Sequence, residues 1–593
     1  MAPAGRPGFL PRVSLHVLQV RAMSASSSPN VDYLIVGGGS AGCVLAARLS
    51  EDPALRVLLL EAGFDAARPE DYPELASPYP GIAYSNPRYT WPGLSARLPY
   101  SGSNRPDGKA TRYEQARLLG GGSAINGIGA NRGSPDDYDE WERMGVTGWS
   151  WDSCLPYFRK LERDLDFDGA LHGRDGPFPI RRRGDVLWTP FTRAMLAICA
   201  QRGIPFLPDQ NGDWEDGIFE MAVNMDEKAR RVSTAWAYLT PEVRRRRNLE
   251  IRTDTTVSRV LIADGRATGV EIRRQDGWER LEAANIVLSA GALATPALLM
   301  RSGVGPASHL ADCGITVQKD LPGVGQNLME HPSSGLVPWL KPAARQRGPL
   351  DYHIPIGYRF SSGVEGCPAG DMHMNFVTRA AWHPIGGQLG SLFFWVNKSY
   401  SRGQLLLDPA APDGPPRIDF RMLSDRRDLV RLADAFERAV GLATDPGLAA
   451  VVDSIHAGGM SEMGKRFSRR TRFGALITGA AAIGLDGIGS RLRDKAFPLM
   501  LSNFDDPRRL AGDREALENY IAETVGGVWH PSGTCRMGGT GDRLAVTDPG
   551  GEVRGLTGLY ICDASLMPTI PCANTNLPTI MIAEKIADGL RRA

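Results

Sequence analysis

Two glycine-dense stretches, one histidine and one asparagine hold most of the chemistry that this 593-residue sequence offers. Gly37, Gly39 and Gly42 set the spacing GxGxxG within Gly37-Gly38-Gly39-Ser40-Ala41-Gly42. Glycines so placed let a backbone approach a pyrophosphate, and a helix starting there turns free N–H groups and its positive dipole end toward the anion. Glu61 comes 19 residues after Gly42 and can accept hydrogen bonds from a ribose 2′-hydroxyl. The motif alone does not separate NAD from FAD. A second glycine-dense loop, Ala116–Asn126, reads ARLLGGGSAIN. His530 lies in Val528-Trp529-His530-Pro531, and histidine is the side chain whose ordinary pKa suits a base near neutral pH. Asn574, 44 residues later, brings an amide that donates and accepts hydrogen bonds but takes no proton. Taken alone, His530 reads as a core histidine bonded to backbone.

These groups need elements to place them. Asp32–Val36 (DYLIV) has the apolar run of a buried parallel strand, Cys43–Leu49 reads as a helix, and Val57–Leu60 is a second strand delivering Glu61. The Ala116–Asn126 loop is expected between an extended segment and a helix. Arg514–Thr524 reads as a helix ending shortly before His530, and Thr255–Val260 as a strand. If Leu392–Val396 is extended, Phe393 and Trp395 share a face. With a strand over Arg402–Leu407 and a helix over Arg426–Leu442, it predicts an independent sheet with packed helices. Arg244–Arg247 reads as a solvated basic helix end. The segment 459–501, with Arg466, Arg469, Arg470 and Arg472 ahead of the apolar stretch Phe473–Leu485, is expected to be a packed insertion rather than a lid or a membrane-resting helix.

Composition narrows the partners. Lys plus Arg number 68 and Asp plus Glu 67, so the net charge of +1 favours neither nucleic acid nor an anionic membrane, and a small molecule is the expected partner. Eight cysteines without a CxxC pair and nine histidines without HxxxH spacing argue against a metal site or a disulfide scaffold, and fit a cytoplasmic protein. No apolar stretch approaches the roughly 20 residues of a spanning helix. Glycine, 68 of 593, exceeds the usual share of roughly 7% and suggests backbone pressed against a bulky ligand. Residues 1–30 hold Arg6, Arg12 and Arg21 and no acid. Between a transit peptide and an upstream start with Met23 as the initiator, the second is expected.

The two glycine loops, together with Gly291–Gly305 (GALATPALLMRSGVG), Pro322–Leu328 before His331, Trp529–Gly538 and Asp563–Lys585, resemble the glucose–methanol–choline (GMC) family of FAD-dependent oxidoreductases. Within that family, YDEW at 138–141, FWVNK at 394–398, GVWHPSGTC at 527–535 and ANTNLPTIMIAEK at 573–585 resemble bacterial 5-hydroxymethylfurfural and furfural oxidases. The resemblance implies a Rossmann-like α/β FAD-binding domain (31–155, 222–330, 528–593) interleaved with an α+β substrate-binding domain (156–221, 331–527). It makes His530 the base and Asn574 the group that orients the substrate oxygen. It places Gly37, Gly39, Ser40, Ala41, Gly42, Glu61, Ala62 and Val257 on the ADP half of FAD. Arg117, Leu119, Gly121, Gly122, Ser123, Asn126 and Gly127 follow along the pyrophosphate and ring, and Trp529, Asp563, Ala564, Asn574 and Thr575 complete the cofactor site. Ile125 stands where some members attach FAD covalently to histidine, so non-covalent FAD is expected. Trp395 and Trp529 are expected to wall a pocket for a flat furan or benzyl alcohol. No acid is expected beside the catalytic motifs to suit choline, and Glu330, where the family often has Asp, is expected to make only a slightly altered surface contact. The activity implied is oxidation of a primary alcohol to the aldehyde, with a second oxidation to the acid through the aldehyde hydrate and dioxygen reduced to hydrogen peroxide. The competing readings are a dehydrogenase using a quinone or other acceptor and, behind it, a lyase of the family.

Overall fold

A computed structural model describes residues 31–99, 110–274, 277–460, 471–497 and 501–592. The expectation for residues 1–30 lies outside these, as do Arg466, Arg469 and Arg470. Five parallel strands form one sheet in the order Leu559–Ile561, Asn285–Leu288, Tyr33–Val36, Val57–Leu60, Leu249–Arg252. The central strands are apolar at every position because both faces are covered. Helix Ser40–Leu49 starts directly after the first strand, three residues earlier than its apolar pattern suggested, because Gly39 turns the chain. A Cβ on Gly42 would sit 1.9 Å from the Gly37 carbonyl, so that turn admits only glycine. The C-terminal helix Asn576–Arg592 packs on Ser40–Leu49, where Arg48 pairs with the buried Glu584 at 2.8 Å. The end of the chain therefore closes on its beginning.

The second sheet has seven antiparallel strands, in the order Leu501–Asp505, Val452–Met460, Ser333–Leu340, Ser391–Val396, Met372–Val377, Ile356–Phe360, Gly217–Glu220. Helix Arg426–Ala443 packs on one face, with Phe436 against Phe394. Phe393 and Trp395 share the other face, their ring centroids 5.7 Å apart. That face meets the segment carrying Asn574, since Asn397 Nδ2 donates to the Cys572 carbonyl at 3.0 Å.

Four local expectations are corrected. The strand placed at Arg402–Leu407 is only Gln404–Leu406, and it belongs to a separate four-stranded sheet with Arg417–Met422, Ser95–Pro99 and Thr111–Arg112. The second glycine loop leads to no immediate helix. It makes one tight turn, Gly121–Ala124, because Gly120 and Gly121 are left-handed (φ +96° and +52°) and Gly121 lies against Gly39. Helix begins only at Pro135, where Ser134 and Asp137 form a capping box. The arginine run is not simply solvated, since Arg244 pairs with Asp65 at 2.6 Å and Arg246 bonds the Ala47 carbonyl. The strand placed at Thr255–Val260 runs on to Ala263. The 459–501 segment leaves the seven-stranded sheet between its two end strands, and its helix Arg472–Gly487 buries Ala482 and Leu485 against Trp339, Ile385 and Leu389.

Candidate active site

His530 is held by a turn rather than by a helix or strand. Helix Arg514–Thr524 ends at Val525, and Gly526 and Ser333 exchange backbone bonds of 2.9 and 3.0 Å. Trp529 then adopts φ +62°, a left-handed conformation costing a bulky residue about 1–3 kcal/mol. Glu330 holds the turn in place. Its carboxylate accepts the backbone N–H groups of His331 (2.8 Å), Val528 (3.3 Å) and His530 (2.9 Å), and the Tyr113 hydroxyl donates to it as well. Burial pushes this carboxyl up to about 7 against the pull of those donors. The expected surface contact of Glu330 is corrected, since Glu330 is 3% exposed and braces the turn that carries His530. It is no anion for a cationic substrate, because four donors already take up its oxygens.

The His530 ring is buried and contacted at both nitrogens. Nε2 meets Asn574 Nδ2 at 3.0 Å, and Nδ1 meets His331 Nδ1 at 2.9 Å with the rings perpendicular. Burial, with a smaller push from His373, lowers the His530 pKa to about 3, so the ring is neutral at neutral pH. Asn574 is placed from behind. Its backbone N–H donates to Asn131 at 3.1 Å, and the Cys572 N–H donates to Asp137 at 2.8 Å. Asp137 in turn pairs with the buried Lys398 at 2.8 Å. A Cβ on Gly129 would lie 3.1 Å from Asn574 Oδ1, so glycine there makes room for the amide. Asn574 Oδ1 is buried and has no partner in the protein. A hydroxyl oxygen set between these side chains can donate to His530 Nε2 and accept from Asn574 Nδ2.

The two tryptophans differ. Trp529 is half exposed, stacked on Tyr113 with centroids 6.1 Å apart, and offers an aromatic face beside His530. Trp395 is 1% exposed, stacks on His373 at 4.2 Å and donates Nε1 to Asn397. On its sheet face it pairs across strands with His373 and lies beside the partly buried Phe393. Tyr113, Asn131 and His373 were not singled out from sequence, and Glu330 and His331 were given no part in the site. His331 follows a motif, yet its contact with His530 spans 199 residues and leaves no local spacing to read.

The glycine loops form a cradle. Gly39 caps helix Ser40–Leu49 without a side chain, leaving first-turn N–H groups, including that of Ala41, for an anion. A Cβ on Gly121 would fall 2.7 Å from Gly39 Cα, so the loops touch. At Gly122, Gly127 and Gly291 an added Cβ would meet no protein atom within 4 Å. Glu61 is buried at the end of its strand and accepts N–H groups from Gly38 and Gly63 at 2.8 and 2.7 Å. Val257 lies nearby, two residues beyond Thr255, whose N–H donates to the Glu61 carbonyl. Arg117 donates to the Ala62 carbonyl, and Leu119 covers Gly38. Ser123 bonds Thr234, and the buried Arg231 ties down the carbonyls of Ser123 and Asn126. Arg231 is a further residue without a sequence signal. Asp563 accepts from Gly291 N–H and Thr295 Oγ1, so backbone at Asp563 and Ala564, rather than the carboxylate, is suited to face a cofactor phosphate. Ser40 bonds Asn576, and the Thr575 carbonyl caps onto Thr579. The open glycine faces, the uncapped helix start and the unpartnered Ser289 Oγ suit a bound dinucleotide.

Among the described residues, two groups bring possible metal ligands within 4.8 Å: Glu330, His331 and His530, and Glu162, Asp164 and His172. In the first, four donors occupy the carboxylate and the two Nδ1 atoms face each other. In the second, Arg132 and Arg182 already neutralise the acids. Neither reads as a cation site.

Fold and site together define a flavin-type oxidoreductase with a His–Asn pair. The family models described as GMC oxidoreductase match residues 31–333 and 399–583, and the chain belongs to that family. It is an enzyme acting on CH–OH groups, and the family binds FAD. The chain is 41% identical to 5-(hydroxymethyl)furfural oxidase of Methylovorus sp. (strain MP688), over 94% of this chain and 98% of that protein. It is 31% identical to the mitochondrial choline dehydrogenase of Homo sapiens, over 99% and 95% of the two chains. Among solved structures it is similar to pyridoxine 4-oxidase from Mesorbium loti, with a TM-score of 0.77 and 28% identity, over 95% of this chain and all of that one.

Proposed function

We propose that this enzyme oxidises primary alcohols of the 5-hydroxymethylfurfural or aryl type to aldehydes, and onward to acids through the aldehyde hydrate, with dioxygen as the electron acceptor. The observation that carries the reading is the convergence of neutral His530 Nε2 and Asn574 Nδ2 at 3.0 Å beside the half-exposed Trp529 ring. Similarity to a furfural-alcohol oxidase supports the substrate class. The alcohol O–H donates to His530 Nε2, and Asn574 holds the oxygen as the proton leaves. Trp529 stacks on the flat ring and keeps water from the carbinol carbon. FAD, when bound, would supply the acceptor for the carbinol hydride and the route by which the electron pair reaches dioxygen. Gly37, Gly39, Gly42 and Glu61 would hold the ADP half, and the loop from Arg117 to Gly127 the pyrophosphate and ring, without a covalent bond because Ile125 has no nucleophile.

The test is anaerobic mixing with 5-hydroxymethylfurfural followed by admission of air, on wild type and His530→Ala. Bleaching of the flavin, recovery with peroxide and a loss of at least 100-fold in the variant are expected. Bleaching without recovery in air would make the enzyme a dehydrogenase. A wild-type rate in His530→Ala would remove His530 as the base.

A further inference from the structure

His331 and His530 stand 199 residues apart in sequence, yet their Nδ1 atoms are 2.9 Å apart in the interior. At that distance one nitrogen must donate and the other accept. Two lone pairs would repel and two N–H groups would collide. Burial holds both rings neutral, so one proton lies between them.

The amide on the far side of His530 decides which ring owns that proton. Asn574 Nδ2 carries only N–H groups, so at 3.0 Å it donates and His530 Nε2 must present its lone pair. His530 therefore carries its proton on Nδ1 and donates it to His331 Nδ1. His331 presents a lone pair at Nδ1 and carries its own proton on Nε2, which is buried without a hydrogen-bond partner among the described residues. Asn574 Oδ1 stays unpartnered in this arrangement.

We propose that His331 is a positioning residue that fixes His530 in the Nδ1–H tautomer, so that Nε2 is the atom left to take the alcohol proton. The proposal rests on the reading of His530 as the base. The two rings are held in register by one carboxyl group, because Glu330 accepts the backbone N–H of both His331 and His530. When the alcohol O–H bond breaks, its proton forms the new N–H bond at His530 Nε2. The Nδ1 proton stays on His530, and its bond to His331 becomes charge-assisted and stronger. His331 takes no proton. The general rule is that the partner of a base's second nitrogen sets which nitrogen is free.

The test is 15N NMR of holoenzyme labelled at histidine, with His530 signals assigned by their loss in His530→Ala. Wild type should show a protonated Nδ1 and a bare Nε2 at His530. His331→Asn, whose side-chain oxygen can replace the Nδ1 acceptor, should keep that pattern. His331→Leu should shift His530 toward the Nε2–H form and slow anaerobic flavin reduction at least 10-fold, with the KM for alcohol changed far less. A protonated Nε2 at His530 in wild type would overturn the proposal, and so would an unchanged tautomer in folded His331→Leu. The wild-type spectrum decides the matter even where His331→Leu does not fold. The tautomer is read without turnover, so the two readings fail separately. The expected spectrum with a fully active His530→Ala would remove the base and leave the tautomer standing, whereas an inactive His530→Ala with a protonated wild-type Nε2 would remove only the role of His331.

Discussion

A base buried among uncharged groups has its pKa set by what its neighbours lack. His530 has an amide at Nε2 and a second imidazole at Nδ1, and no carboxylate bonds its ring, so burial lowers its pKa to about 3. For the base proposed here, the useful form is the neutral ring. The alkaline side of its titration therefore covers the whole neutral range, and protonation of His530 should add no acidic limb to wild-type kcat/KM as pH falls from 8 to 5. Asn574→Asp changes the sign of the local field. A carboxylate at Nε2 favours the imidazolium and raises the pKa of His530, so the base becomes protonated as pH falls through the new, higher value. The expected outcome is an acidic limb in kcat/KM that is absent from wild type, with activity lost at the low-pH end, read from initial rates between pH 5 and 9. A flat profile in the variant would mean that the introduced carboxyl does not reach His530, and the pairing at 3.0 Å would be wrong as the catalytic geometry. Residue type and motif context made His530 and Asn574 legible in the sequence. Glu330 was misread because an acid bonded by backbone N–H groups 198 and 200 residues away leaves no local pattern.

The segments that carry these side chains are irregular, and buried ion networks hold them where helices and strands do not. The loop through Asn131 is the clearest case. Its neighbour Arg132 reaches a closed cluster in which Glu162, Asp164 and Asp209 face Arg132, Arg182 and His172, all at most 7% exposed. With His172 protonated, three negative charges meet three positive ones. Burial opposes the charge on His172, but the bonds to Asp164, Asp209 and Glu162 outweigh it and raise its pKa to about 10. The sign follows from linkage. A histidine raised in the folded state contributes its full stability below the ordinary value of 6.5, and that contribution is lost as pH rises toward 10. Wild type should therefore lose thermal stability relative to His172→Gln across that window, so the gap between their Tm values, widest near pH 6, narrows toward pH 10. Differential scanning fluorimetry from pH 6 to 10 reads this directly, and a constant gap would show that His172 is not charged in the cluster. At this scale the sequence was legible where periodicity is strong, as in Val57–Leu60 and Arg514–Thr524, whose bounds fall as expected. It was not legible at the Gly121–Ala124 turn, where contact with Gly39 rather than propensity ends the run.

Across the whole molecule, the cradle proposed for FAD would be assembled from pieces far apart in the chain: the Gly37–Gly42 loop, the Gly121–Gly127 loop, the Gly291 turn and the Asp563–Thr575 segment. Direct bonds join some of them, such as Gly120 N–H to the Gly38 carbonyl at 2.7 Å and Asp563 to the Gly291 N–H at 2.8 Å. Others meet at open glycine faces with no protein contact between them. The family resemblance made this organisation visible from sequence, because glycine motifs mark close approach even when their partners are distant. A dinucleotide lying across those faces links all four segments, so its binding energy should be folding energy. Anything that binds the native state alone stabilises it by RT ln(1 + [L]/Kd), about 2.7 kcal/mol at 100-fold excess over Kd. Stripping FAD at acid pH and high salt should lower Tm, and added FAD should restore it in proportion to the logarithm of its free concentration. Riboflavin, which lacks the pyrophosphate and adenosine, should restore little if the Gly37–Gly42 loop and Glu61 hold the ADP half as proposed. Since Ile125 offers no atom for a covalent bond, all of the flavin should pass into the supernatant when the holoenzyme is precipitated with acid. Flavin retained in the washed pellet would mean that another side chain holds it covalently, and a Tm unmoved by FAD would mean that the glycine faces are not its seat.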